Sequence, residues 1–277
     1  MQFPTAVTCH LLGDHPSCAG SRALAGLTAE LTAAPSHAAL TPVRSAAAAI
    51  VLAGGSGSRL GGARNKVYLP LGERTVLGWS LQAFAAHPAI GPVVLVVRAE
   101  EVGEAEREAE ALGVPVEIVE GGATRQDSEW CGLQRLAERI AAGAVDVVLI
   151  HDGARPLVSQ ELITAVLTAA RVDGGAVPGL LRDDLAAVTP DGAGLRWPPG
   201  PDALVAVQTP QGFRAGPLLA AYDRARETGF VGTDTASCVQ RFTDLPVRWV
   251  PGDDRNLKIT YPHDLARAAR LVSSVTR

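Results

Sequence analysis

AAAAIVLAGGSGSRLGG, residues 46–62, sets an apolar run directly against a turn holding five glycines and one arginine. The run reads as a buried strand, and a glycine turn behind a strand bares backbone N–H groups to an anion. Spacing decides which kind of anion site this is. A P-loop needs G-x-x-x-x-G-K-[ST], and the glycine pair at that distance, Gly57 and Gly62, is followed by Ala63 and Arg64. A dinucleotide turn needs G-x-G-x-x-G; Gly55 and Gly57 supply its first half, but Leu60 stands where the third glycine belongs. There remains a loop that meets phosphate with its backbone and carries its own cations, Arg59 and, seven residues on, Lys66.

Outward from this loop the same alternation repeats. IVLA (50–53), VVLVV (93–97), VEIV (116–119) and VDVVLI (145–150) are nearly continuous apolar runs, as strands buried on both faces must be. Between them lie segments of helical period. Thr75 caps a stretch with Leu77, Leu81 and Phe84 on one face, and residues 100–112 form a charged surface helix. Residues 128–142 form another, closed by Gly143, and Pro262 opens a last one where its missing N–H costs nothing. The expectation over residues 46–277 is an α/β domain, a three-layer Rossmann-like fold with a mostly parallel central sheet. Residues 1–45 carry few charges and no sustained period, and read as a disordered N-terminal extension. Residues 179–207 break the alternation. Pro190-Asp191-Gly192 is a turn between short extended stretches, so a hairpin projecting from the sheet is expected there.

Composition narrows the function classes. The chain has 277 residues, 47% of them hydrophobic, enough for a sizeable core. A formal charge of −4 leaves no basic surface, so neither nucleic acid nor an anionic membrane is an expected partner. Cys9, Cys18, Cys131 and Cys238 form no C-x-x-C pair, which argues against zinc and a disulfide framework and for a reducing, cytoplasmic setting. No apolar run of about 18 or more uncharged residues occurs, and the first residues lack the order of a secretory signal.

In open α/β sheets ligands bind at the carboxyl ends of the strands, and four stretches fall there. LAGGSGSRLGGARNK supplies backbone donors, Arg59 and Lys66; EGGATRQDS supplies Gly121, Gly122 and the Ser128 hydroxyl, the glycines letting a flat ligand approach the backbone. HDGARP brings His151, Asp152 and Arg155 out of a buried run, and RNLKIT sets Lys258 in an apolar strand. Taken singly, His151 reads as a hydrogen-bonded core histidine, Arg125 as solvated, and Asp152 as a turn cap or a magnesium ligand. Together they give donors, several cations and one acid, without a nucleophile–histidine pair. That set suits phosphoryl or nucleotidyl transfer, where catalysis is positioning and charge neutralisation.

LAGGSGSRLGGARNKVYLPLGERTVLGWSLQAF, EGGATRQDS, IHDGARP, VQTPQGF, GTDTAS and NLKIT, in this order, resemble the 2-C-methyl-D-erythritol 4-phosphate cytidylyltransferase family over residues 46–269. The family is also similar to ribitol-5-phosphate cytidylyltransferases. The resemblance implies a nucleotidyltransferase that joins CTP to a polyol phosphate with Mg²⁺, releasing pyrophosphate. It implies that Ala53, Gly54, Gly55 and Gly57 wrap the nucleotide, that Arg59 and Lys66 hold the triphosphate, and that Gly122 and Ser128 face the cytosine. Asp152 would organise metal and polyol, Arg155 would steady its loop, and Thr209 and Lys258 would meet the acceptor phosphate and reaction centre, making Arg59, Lys66 and Lys258 the catalytic cations. The hairpin arm would cross a homodimer interface and help to close the partner's acceptor pocket.

The arm departs from the family pattern. Arg182-Asp183-Asp184-Leu185 stands where Arg-Asp-Thr with a nearby lysine is usual, Pro201 takes the place of an arginine, and Arg255 that of an aspartate. Arg182 and Arg196 are the arm cations that remain. The first reading is therefore transfer to methylerythritol phosphate. The alternatives are ribitol 5-phosphate or another phosphorylated alcohol as acceptor, or a CTP-binding paralogue without turnover.

Overall fold

The computed structural model describes residues 46–55, 65–188, 193, 195–196 and 204–275. The chain divides into units 1–41 and 42–277. The N-terminal extension lies outside the described residues, as do Gly57, Arg59 and Pro201.

Among the described residues, eight strands form the main sheet. Its centre is Ala46–Leu52 (β1), in which residues 47–51 are wholly buried; a strand covered on both faces has no alternation to show. Ile90–Val97 (β2) pairs parallel with one side of β1, and Glu117–Glu120 (β3) pairs parallel with β2. Val145–Asp152 (β4) pairs parallel with the other side of β1. The order of strands therefore reverses at β1, and the gap between β1 and β4 is a topological switch point. Beyond β4 lie Gly175–Arg182 (β5), Leu204–Val207 (β6), Gln211–Arg214 (β7) and Val247–Pro251 (β8). Strand β7 runs antiparallel to both β4 and β5, β6 runs antiparallel to β5, and β8 runs parallel to β5.

The helices in chain order are Val76–Ala85 (α1), Val102–Leu112 (α2), Arg125–Ala141 (α3), Gln160–Asp173 (α4), Ala215–Thr228 (α5), Thr235–Phe242 (α6) and Pro262–Val275 (α7). Residues 47, 49 and 51 of β1 share a core with α1, α2 and α4, while residues 48 and 50 share one with α3, α5 and α6. This produces the expected three layers. Local sequence fixes the helix ends: the Thr75 hydroxyl accepts the Gly78 N–H at 2.8 Å, and Gly143 closes α3 at φ 69°. Helix α3 starts at Arg125 rather than at the expected Ser128, because Thr124 and Asp127 form a capping box one turn earlier.

RNLKIT is not a strand. Residues 256–260 run irregularly, pinned by the Ile259 N–H on the Ala154 carbonyl at 2.8 Å, and Ile259 packs in a cluster with Leu71, Val76 and the α7 residues Ala268 and Val272. In the arm, Ala187–Val188 pairs antiparallel with Leu195–Arg196. The hairpin thus forms, with its turn at 190–192 outside the described residues.

Candidate active site

A cleft of about 290 Å³ opens at the carboxyl ends of β1, β3 and β4. Its first wall follows β1. The Ala53 N–H donates to the Val96 carbonyl at 2.8 Å, and the Asn65 side-chain amide donates to the Ala53 carbonyl at 2.7 Å. Asn65 therefore ties the two ends of the glycine-rich loop together across its undescribed middle, and its amide also reaches Glu101 at 3.1 Å. Ala53, Gly54, Gly55 and Lys66 line the cleft, as expected. Nothing in the sequence around Asn65 shows that it is buried, at 2% exposed, so its role emerges only in the fold.

The second wall is the start of α3. Gly122 and Ser128 line the cleft, but the reason for the glycines is internal. A Cβ on Gly122 would lie 2.3 Å from that of Asp127, and one on Gly121 would lie 2.7 Å from the Ser128 hydroxyl oxygen. The first turn of α3 needs this space whether or not a ligand is bound. Ser128 sits inside the helix and donates its hydroxyl to the Thr124 carbonyl at 2.9 Å. Arg125 is part-exposed but paired: its guanidinium donates to Glu129 at 2.5 Å and reaches Asp152 at 3.4 Å.

The third wall is the loop after β4. Asp152 ends that strand, and its carboxylate meets Lys258 Nζ at 2.8 Å, Arg125 at 3.4 Å and Arg155 at 3.7 Å. Burial opposes its ionisation, but Lys258, Arg125 and Arg155 outweigh burial and hold the carboxyl well below the usual range. Lys258 is not buried; its side chain is 39% exposed with the ammonium resting on Asp152. Arg155 donates to the carbonyls of Asn256 at 2.8 Å and Val207 at 3.4 Å, which steadies three segments at once.

Thr209 and His151 lie behind Asp152. His151 is fully buried, and its Nε2 faces the Arg155 carbonyl at 3.1 Å, so that nitrogen donates. Its Nδ1 then accepts from the Thr209 hydroxyl at 3.1 Å, while the Thr209 oxygen accepts the Asp152 N–H at 3.0 Å. Burial lowers the His151 pKa to about 4, keeping the ring neutral. The Thr209 hydroxyl is thus engaged with Asp152 and His151 in a residue 4% exposed that is not among the lining of the cleft. Asn256 and Gln208, both unread in the sequence, lock this region: Asn256 donates to the Thr209 carbonyl at 2.8 Å and Gln208 to the Asp253 carbonyl at 2.8 Å.

Among the described residues no group of three or more His, Cys, Asp or Glu side chains could hold a metal by itself. Asp152 alone among the described lining residues is a carboxylate. That fits Mg²⁺, which takes one or two protein carboxylates and completes its shell with substrate phosphates and water.

A three-layer α/β fold whose switch point gathers a glycine turn, cations and one carboxylate suits nucleotidyl transfer, and the nucleotidyltransferase class is shown by comparison. The family model described as IspD, 2-C-methyl-D-erythritol 4-phosphate cytidylyltransferase, matches residues 47–274. A 2-C-methyl-D-erythritol 4-phosphate cytidylyltransferase of Thermobifida fusca (strain YX) is 43% identical over 235 residues, 81% of this chain and 92% of that protein. The crystal structure of the enzyme with that name from Thermus thermophilus is similar with a TM-score of 0.60 at 32% identity, covering 81% of this chain and 98% of its own. That of 4-diphosphocytidyl-2C-methyl-D-erythritol synthase from Anaerococcus prevotii DSM 20548 reaches 0.72 at 27% identity, covering 83% and 96%. The chain belongs to the 2-C-methyl-D-erythritol 4-phosphate cytidylyltransferase family.

Proposed function

We infer that this chain transfers the cytidylyl group of CTP to 2-C-methyl-D-erythritol 4-phosphate, giving the CDP-alcohol and pyrophosphate in isoprenoid precursor synthesis. The observation that carries it is the cleft at the β1/β4 switch point, with Lys66, Arg125 and Lys258 around a single carboxylate. An acceptor phosphate oxygen forms the new bond to the α-phosphorus, and the bond from that phosphorus to the bridging oxygen breaks as pyrophosphate leaves. A phosphate monoester is already largely ionised at pH 7, its second pKa being about 6, so no general base is required. The neutral, enclosed His151 agrees with that.

In this reading Lys66, with Arg59 from the glycine-rich loop, neutralises the triphosphate, and Lys258 sits where charge builds during transfer. The turn at Ala53, Gly54 and Gly55, with Gly57, wraps the nucleotide, and Gly122 and Ser128 border the base. Asp152 would hold Mg²⁺, which when bound supplies charge neutralisation at the phosphates. Arg155 and Thr209 support Asp152 from behind. The relatives described above carry the methylerythritol name, which favours that acceptor over ribitol 5-phosphate.

A homodimer belongs to the same proposal. Leu181, Val207 and Trp249 are 58%, 43% and 44% exposed. Leu181 pairs with Val205, Gly179 with Val207, and Val177 with Trp249, so strand alternation puts these apolar side chains on one face of the sheet beside the arm. A cytoplasmic location is part of the proposal; among the described residues no helix is long and apolar enough to cross a membrane. The test is pyrophosphate release with CTP, Mg²⁺ and a panel of polyol phosphates, with sedimentation of the purified protein. Release with methylerythritol phosphate as the preferred acceptor is expected, and none with any acceptor would refute the activity.

A further inference from the structure

Glu129 is a carboxylate on the inner face of α3, 1% exposed, one helical turn from the cleft. Its position neighbours the apolar interior formed by Leu133 and Leu136, where an unpaired charge would be strongly disfavoured. Three donors meet it. Arg125 approaches at 2.5 Å, the Thr235 hydroxyl at 2.6 Å and the Tyr222 hydroxyl at 2.6 Å. Thr235 belongs to GTDTAS, a motif stretch that does not itself line the cleft. It is the first residue of α6, whose N-cap Asp234 is held by the Gln211 amide at 3.0 Å. The same stretch is clamped to α3 a second time, because Gln126 accepts from the Gly232 N–H at 2.7 Å and donates to the Phe230 carbonyl at 2.7 Å.

Arg125 stands between two carboxylates and is divided unequally. Its bond to Glu129 is short, whereas Asp152 is at 3.4 Å, near the limit of a hydrogen bond. Asp152 already has Lys258 at 2.8 Å. Without the charge at position 129, Asp152 would be the carboxylate left to Arg125 among the partners described, and the guanidinium would close onto it. One cation would leave the cleft wall, and the site's carboxylate would be masked.

We propose that Glu129 is a positioning residue: braced by Thr235 and Tyr222, it holds the Arg125 guanidinium on the cleft wall, free to meet the nucleotide phosphates instead of collapsing onto Asp152. The proposal rests on the reading of the cleft as the CTP site. GTDTAS then works as a shelf behind the nucleotide pocket, touching it only through Glu129 and α3.

The experiment is steady-state kinetics of the full chain with CTP varied, in a double-mutant cycle of Glu129→Gln and Arg125→Gln. Glu129→Gln should raise the KM for CTP by about tenfold or more with kcat changed less than about threefold, and should add less than about twofold in the Arg125→Gln background. The same fold-change in both backgrounds would mean that Glu129 acts independently of Arg125 and would overturn the proposal. Should Glu129→Gln fail to fold, Thr235→Val and Tyr222→Phe each remove one brace while keeping both charges. Each should raise the KM several-fold in the wild-type background and not in Arg125→Gln, and an unchanged KM in both backgrounds overturns the inference. Calorimetry of wild-type protein with CTP separates the two levels: binding with an unchanged KM in the variants sinks this proposal alone, whereas no binding sinks the reading of the cleft together with it.

Discussion

The loop after β4 and the arm after β5 each carry an arginine and an aspartate close in sequence, and the two pairs are built differently. Asp152 and Arg155 are enclosed, their side chains 12% and 10% exposed, and each is held by several other groups. Arg182 and Asp184 are 42% and 60% exposed and close on each other, with Nε on Oδ1 at 2.7 Å. In the first place the surroundings direct the charge outward, toward a ligand. In the second the two charges cancel in water, where such a pair contributes little. The charges of the candidate cleft are thus held by several neighbours, whereas the charge of Arg182 in the arm is largely offset by Asp184.

The widest gap between the two regions should appear on removing each aspartate's charge. Asp152→Asn leaves Lys258, Arg125 and Arg155 facing one another, and turnover should fall by about two to three orders of magnitude, with a stability loss of about 2 to 3 kcal/mol, less than for a fully buried pair because Lys258 is part-exposed. Asp184→Asn should leave the urea midpoint unchanged. Urea titration of both variants beside wild type checks this, and equal losses would erase the distinction. Lys66→Ala, across the cleft from Asp152, and Arg59→Ala, in the same glycine-rich stretch of sequence, sharpen it. Each should cut turnover by about a hundredfold or more, since a fixed cation at a transition state contributes on the order of 3 to 4 kcal/mol. Near-wild-type rates in folded protein would remove the phosphate-loop assignment.

Acid should also reach the two regions differently. His151 is held neutral by burial, with a pKa of about 4 in the fold against an ordinary value of 6.5. Between those values the unfolded chain binds a proton that the folded chain does not, so stability present above pH 6.5 is lost as pH falls toward 4. His87, also lowered by burial, adds in the same sense. Asp152, whose carboxyl is held below its ordinary 3.8, loses its contribution only at lower pH. The expected loss from His151 is about 2 to 3 kcal/mol between pH 6.5 and 4.5. Urea midpoints across that window test it, with His151→Gln flattening the slope, and a flat wild-type profile would contradict the neutral-histidine arrangement.

What could be read from sequence follows from how local each cause is. β1 was legible because a doubly covered strand is continuously apolar, and Asp152 because it is acidic at the end of such a run. Apolar neighbours suggest a strand around Lys258, but an apolar run does not tell a paired strand from an extended segment packed on α7 with one backbone bond to the β4 loop. The start of α3 was legible in principle, since T-x-x-D at 124–127 is a capping box. Glu129 showed locally only an i,i+4 pairing with Arg125, which does not mark it as buried. Its meaning comes from Tyr222 and Thr235, 93 and 106 positions away, which only the packed fold brings to it.

The smallest expected effect lies in the arm and concerns the acceptor alone. Asp184 holds Arg182 in a two-bond exposed pair, so Asp184→Thr should release a cation without disturbing the cleft. If the arm meets the acceptor phosphate, the KM for methylerythritol phosphate should then fall by up to about tenfold, with kcat and the KM for CTP unchanged, the scale of one part-exposed charge-assisted contact. Pro201→Arg, which adds a cation to the same arm, should act in the same direction and by a similar factor. Asp184→Asn keeps a hydrogen-bonding side chain and removes the negative charge, so it should reproduce most of the gain if the pairing of Arg182 is what limits acceptor binding. A lower KM in Pro201→Arg alone would instead assign the acceptor contact to position 201. No change in any of the three would mean that the arm carries no acceptor charge contact, leaving Lys258 and the β4 loop to hold that phosphate.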